Sequence, residues 1–84
     1  LTDQPSNAAL LCEAGRLLFG PAWQSELART LGVSLRRVQY YAADARQPPA
    51  TMLAEVAGLL ARRSDECRDM AQRLQNAAGV APPA

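Results

Sequence analysis

Apolar positions recur three and four apart at Leu10, Leu11, Ala14, Leu17 and Leu18. That spacing predicts a first helix with one buried stripe, and Ser6 or Asn7 can cap its start. The run breaks at Phe19-Gly20-Pro21. Gly20 can serve as an N-cap and Pro21 suits the first position of a helix, so a second helix is predicted from about Pro21 to Leu31. Within it Trp23, Leu27 and Leu31 recur every four residues, Ala28 widens the stripe, and Trp23 is expected to join Phe19 in the core. Gly32 can adopt the left-handed conformation that ends a helix. Ser34 then caps a third helix, from about Leu35 to Ala43, with Val38 and Tyr41 on one side of it. Pro48-Pro49 stops any continuation and holds Gln47 extended.

A last helical pattern runs from Thr51 to Ala78. Leu53, Val56, Leu60, Cys67, Met70 and Leu74 follow a heptad seam, and Arg63 occupies the one seam position that spoils it. Two arrangements fit this pattern. Either a fourth helix ends at Arg63-Ser64 and Ser64 caps a fifth, with Asp65 and Glu66 in its first turn, or one long helix continues and pairs with a second chain. The sequence favours the break. In both arrangements Cys67, Met70 and Leu74 form the expected dimer interface. The chain thus divides into a tail (1–5), a helical domain (6–62), a C-terminal helix (63–78) and a second tail (79–84).

Composition sharpens this picture in three respects. Alanine and leucine dominate and β-branched residues are few, which makes the expected fold class all-α. A net charge of +1 argues against a grip on nucleic acid by bulk electrostatics. The charge is unevenly placed, however, with Arg29, Arg36, Arg37 and Arg46 against Glu26 and Asp44 between Gln24 and Gln47. The third respect is what is missing. Histidine is absent and the two cysteines, Cys12 and Cys67, lack metal-binding spacing, so no enzyme activity, metal or cofactor is expected. Nothing suggests export, a disulfide or a membrane span, and the expected location is cytoplasmic, on the nucleoid when bound to DNA.

The chemistry concentrates in Gln24 to Tyr41. With Val38 and Tyr41 turned to the second helix, Arg36, Arg37, Gln39 and Tyr40 are left on the other sides of the third. A short helix pinned on one side and showing such residues on another suits insertion into a DNA major groove. On Gln24, Ala28, Leu31, Gly32, Val33, Val38 and Tyr41, this stretch resembles the helix-turn-helix of the lambda repressor and Cro superfamily. With the flanking helices the resemblance reaches about residues 6–62.

The resemblance implies a four- to five-helix domain whose recognition helix is about 34–43. It also implies a double-stranded DNA partner, and a homodimeric repressor or autorepressor. Carried onto this sequence, base contacts fall to Arg36, Tyr40, Gln39 and Leu35, and phosphate contacts to Gln24, Ser34, Arg37 and Arg46. Leu35 departs from the family, where a polar residue is common. V-S-L-R-R-V-Q-Y-Y is also similar to MerR-like winged helix-turn-helix regulators, but those place a β-wing soon after the tyrosine pair, where Pro48-Pro49 here leads into a helix. A helical protein-interaction adaptor that works through the 53–74 seam is the alternative from outside DNA binding.

Overall fold

The computed structural model describes residues 4–79; the outer parts of both expected tails lie outside the described residues. Four α-helices follow one another: α1 (Asn7–Phe19), α2 (Trp23–Leu31), α3 (Leu35–Ala42) and α4 (Ala50–Ala78). A 3-10 turn, Gly20–Ala22, joins α1 to α2. No strand occurs among the described residues, and no β-wing follows the tyrosine pair. The class is all-α. No helix among the described residues is long and apolar enough to cross a membrane.

Local chemistry sets most of the boundaries. The Ser6 hydroxyl caps α1 by accepting from the Ala9 amide at 3.1 Å. Ser34 caps α3 in the same way, accepting from the Arg37 amide at 3.1 Å. Between α2 and α3, Gly32 adopts φ 70° and ψ 30°. There its amide and that of Val33 donate back to the carbonyls of Arg29 and Ala28. This closing pattern leaves the half-buried Val33 folded under the turn.

α1, α2 and α3 pack on one another, and α4 packs chiefly on α1. The core is Ala8, Leu11, Cys12, Leu18, Trp23, Leu27, Ala28, Val38, Tyr41, Met52 and Val56. Leu11, Leu27 and Val38 are its largest fully buried side chains. Here α1 departs from its predicted stripe. Leu11 and Leu18 are buried, but Leu10 is 45% and Leu17 74% exposed, and Ala8, Cys12 and Gly15 complete the inner face instead. The reason is Trp23, whose ring lies against Gly15. A Cβ added there would come within 2.6 Å of the indole Cε3. The indole therefore requires the small-residue face of α1, and the Leu10–Leu17 side turns outward. The Arg16 guanidinium covers the ring 5.4 Å from its centroid.

α4 is the second departure. It runs unbroken through Arg63-Ser64, where the sequence favours a break, for 29 residues. Arg63 donates to the Leu18 carbonyl at 3.3 Å and lies 3.7 Å from Glu66, so one guanidinium closes the end of α1 and bridges the position of the expected break. An arginine that spoils a coiled-coil seam is thus the residue that docks α4 on α1. Beyond it every residue from Ser64 to Leu74 is exposed, including Cys67, Met70 at 51% and Leu74 at 63%. Both cysteines are free, Cys12 buried and Cys67 exposed. Burial raises the Cys12 thiol above its ordinary range, with Arg16 opposing, so this group stays protonated and packs as a small apolar side chain.

Candidate nucleic-acid interface

Val38 and Tyr41, the buried pair of α3, fix how this eight-residue helix is rotated. At about 100° per residue, the direction opposite them is occupied by Arg36, flanked by Gln39 and Tyr40. Leu35 and Arg37 stand further round on either side. All five are exposed, Leu35 at 41% and Tyr40 at 37%. Leu35 is therefore available on the outer surface rather than spent on the core.

Five residues expected to meet DNA surround one shallow concavity of about 220 Å³: Ser34, Arg36, Arg37, Tyr40 and Arg46. The Tyr40 ring lies between two guanidiniums, with Arg46 5.2 Å and Arg36 6.0 Å from its centroid. Each contact is worth about 0.5–1 kcal/mol at an exposed site. Their larger consequence is positional, because they hold two cations beside one aromatic ring. Arg36, Arg37 and Arg46 have no carboxylate partner among the described residues, as is also true of Arg16, Arg62 and Arg68 elsewhere, whereas Arg29, Arg63 and Arg73 are paired with Glu26, Glu66 and Asp69. Gln39 and Leu35 lie outside this concavity, and Gln24 is half-buried in the first turn of α2.

The loop carrying Arg46 is held by a latch that the sequence reading does not foresee. Asp44 takes φ 58°, one residue past the C-cap of α3. The amides of Asp44 and Ala45 donate to the carbonyls of Tyr41 and Tyr40, the same closing pattern as at Gly32 but with aspartate in the left-handed position. The Asp44 carboxylate accepts from Gln47 Nε2 at 2.8 Å and from Ser6 Oγ at 2.9 Å. Gln47 Oε1 in turn accepts from the Ala8 amide at 2.9 Å. The loop is thereby tied to the first turn of α1. Asp44 after a helical run was the available signal, since short polar side chains tolerate that conformation; its bond to Ser6, 38 residues away, and that of Gln47 to Ala8, 39 residues away, were not legible.

The hydrogen bonds from Gln47 and then Ser6 lower the Asp44 pKa below its ordinary 3.8. A carboxyl depressed in the folded state adds stability that is complete above the ordinary value and fades as pH falls through the folded one. Asp44→Asn keeps an acceptor but loses the charge. Its urea midpoint is expected to fall less steeply than that of the parent chain below about pH 4. Parallel acid limbs in the two titrations would remove the charge from this account.

The chain matches no known protein family, no curated protein and no solved structure.

Proposed function

We propose that this protein is a sequence-specific, double-stranded-DNA-binding transcriptional regulator with a lambda-repressor-like helix-turn-helix, acting as a dimeric repressor on an operator. The observation that carries this reading is the clustering of Arg36, Arg37 and Arg46, none with a carboxylate partner among the described residues, around the exposed face of a short helix whose other side is locked in the core. Unpaired cations on a rigid, projecting element suit phosphates and guanine edges.

In this reading α3 lies in the major groove. Arg36, at the centre of the outer face, presents its planar fork to guanine O6 and N7. Tyr40 and Gln39 take neighbouring base edges, and Leu35 meets a thymine methyl. Arg37 and Arg46, which line the same concavity as Tyr40, hold phosphates, with Ser34 at the helix start and Gln24 at the start of α2. The paired Arg29 takes no part.

Selection of genomic DNA fragments, followed by anisotropy titration of the recovered sites at several salt concentrations, tests the reading. A palindromic site with half-sites about one turn apart, ~34 Å, is the expected product. Absence of any binding even at low salt would defeat it. Arg46→Ala is expected to weaken binding about equally on operator and random DNA, and to reduce the magnitude of the log K against log salt slope by about 0.9. An unchanged slope would take Arg46 off the phosphate contacts.

The bare face of α4 beyond Arg63 supports a second reading, a helical adaptor that binds protein through residues 53–74. Substitution of Arg36 and Arg37 separates the two, since an adaptor working through α4 would not respond to it.

A further inference from the structure

α4 presents the same face along its whole length. Met52 and Val56 are buried on that face, Leu60 is partly buried, and Arg63 caps α1. Cys67, Met70 and Leu74 continue it where α1 has ended, and there they are exposed. The protruding half raises the radius of gyration to 16.2 Å, against about 12 Å for a compact chain of this length. A helical segment of roughly 15 residues without tertiary contacts is marginal in water. This end of α4 therefore calls for a cover, and the charge pattern along it specifies one.

We infer that the C-terminal half of α4 pairs antiparallel with the same segment of a second copy of this chain, in the register that sets Glu66 of each chain opposite the partner's Arg73. The inference deepens the dimeric part of the proposed function and is independent of DNA. In an antiparallel pair, a residues face d residues and the flanking g positions face each other. On the seam of Leu60, Arg63, Cys67, Met70 and Leu74, the g positions are Leu59, Glu66 and Arg73. Setting Cys67 against the partner's Met70 brings Glu66 and Arg73 together twice, once on each side of the two-fold axis. Sliding by one heptad in either direction sets Arg73 against the partner's Arg73, or Glu66 against the partner's Glu66. Parallel pairing stacks Arg63 on the partner's Arg63 in the seam and gives Glu66 only the partner's Ala71. The chosen register brings the partner's Leu74 to Arg63, whose guanidinium holds the Leu18 carbonyl at the end of α1, so the paired stretch ends there; on the other flank it sets Ser64 beside the partner's Ala71, small residues that let the helices approach. The Arg63–Glu66 and Arg73–Asp69 bonds within the chain, at 3.7 Å and 3.1 Å, are exposed and free to exchange for pairs between chains.

Sedimentation equilibrium of the full chain without DNA reads the dimer constant directly, with circular dichroism confirming that each variant is helical. The parent chain is expected to dimerise. Glu66→Arg and Arg73→Glu are each expected to weaken the dimer about tenfold or more, because two attractive contacts become repulsive. An equimolar mixture of these two variants, and the double variant E66R/R73E, should both recover the parent's affinity. A monomeric parent chain, or a double variant no tighter than the single ones, overturns the inference. Mild oxidation gives an independent reading of direction. Antiparallel pairing sets Cys67 opposite Met70, so Met70→Cys crosslinks readily and the parent chain does not, whereas rapid crosslinking of the parent through Cys67 would mean the helices run parallel. Operator binding by a chain that fails these tests would defeat the dimer geometry and leave the DNA reading standing.

Discussion

Arg36→Ala should leave the protein folded while costing, under the proposed DNA-binding function, about 1–3 kcal/mol on an operator, a loss of roughly 5- to 150-fold in affinity. The size follows from what the side chain is in a position to do. Arg36 stands opposite the buried Val38 and Tyr41 on α3, so it is the residue that a groove-bound helix would push deepest. Among the described residues it has no carboxylate to leave, so binding would not have to break an ion pair first. Its guanidinium lies 6.0 Å from the centroid of the Tyr40 ring, which steers it without neutralising it. Loss of this side chain should also relax preference at one base pair. The decisive comparison is between operator and random DNA, measured by anisotropy at fixed salt. If both fall by the same factor, Arg36 contacts phosphate and base reading passes to Gln39 or Tyr40. The thermal midpoint should not move, since substitutions at exposed sites away from caps and core stay within about 0.5 kcal/mol.

The complementary expectation is that Leu27→Ala destabilises the fold by about 2–5 kcal/mol, the range for emptying a fully buried leucine. Leu27 is fully inaccessible to solvent and lies in α2 within the core that Leu11 and Val38 share. A domain of this size has total stability on the order of 4–12 kcal/mol, so the variant should sit near its unfolding threshold and lose DNA binding because α3 loses its support. Leu17→Ala is the control. Leu17 is 74% exposed, and its removal should change stability by less than about 0.5 kcal/mol. Urea titrations of both variants check this. A loss under ~1 kcal/mol for Leu27, or one comparable to it for Leu17, would mean that the core is not arranged as described.

Those two leucines show where sequence reading reaches its limit. Both fall at helical spacing among other apolar residues, and periodicity assigns each to a core. Leu27 belongs there. Leu17 does not, because the Trp23 ring needs the space over Gly15 and so rotates α1 toward Ala8, Cys12 and Gly15. Side-chain volume across a helix crossing is not a periodic property, so no window along the chain contains it. Arg63 is a second case. As a member of a heptad it reads as a flaw, and only its hydrogen bond to the Leu18 carbonyl, 45 residues back, shows it to be a dock.

The placement of the candidate site residues was more legible than that of the core. Of the eight residues that the helix-turn-helix resemblance named, Ser34, Arg36, Arg37, Tyr40 and Arg46 surround a single concavity, while Gln24, Leu35 and Gln39 lie outside it. Four of the five belong to one helix and its cap, where geometry is local and the rotation follows from Val38 and Tyr41. What was not legible is how the fifth is held: the latch of Asp44, Gln47, Ser6 and Ala8 joins segments nearly 40 residues apart.

By itself, then, the sequence determined the all-helical class, the turn at Gly32, the cap at Ser34 and the outward face of α3. Each depends on backbone preference or on periodicity within a few residues. Tertiary structure decided which side of α1 is buried, whether α4 breaks at Ser64, and how the loop carrying Arg46 is anchored. Those outcomes depend on the shape of an indole, the reach of an arginine to a distant carbonyl and a carboxylate shared by two donors, contacts whose partners are set only once the chain has folded.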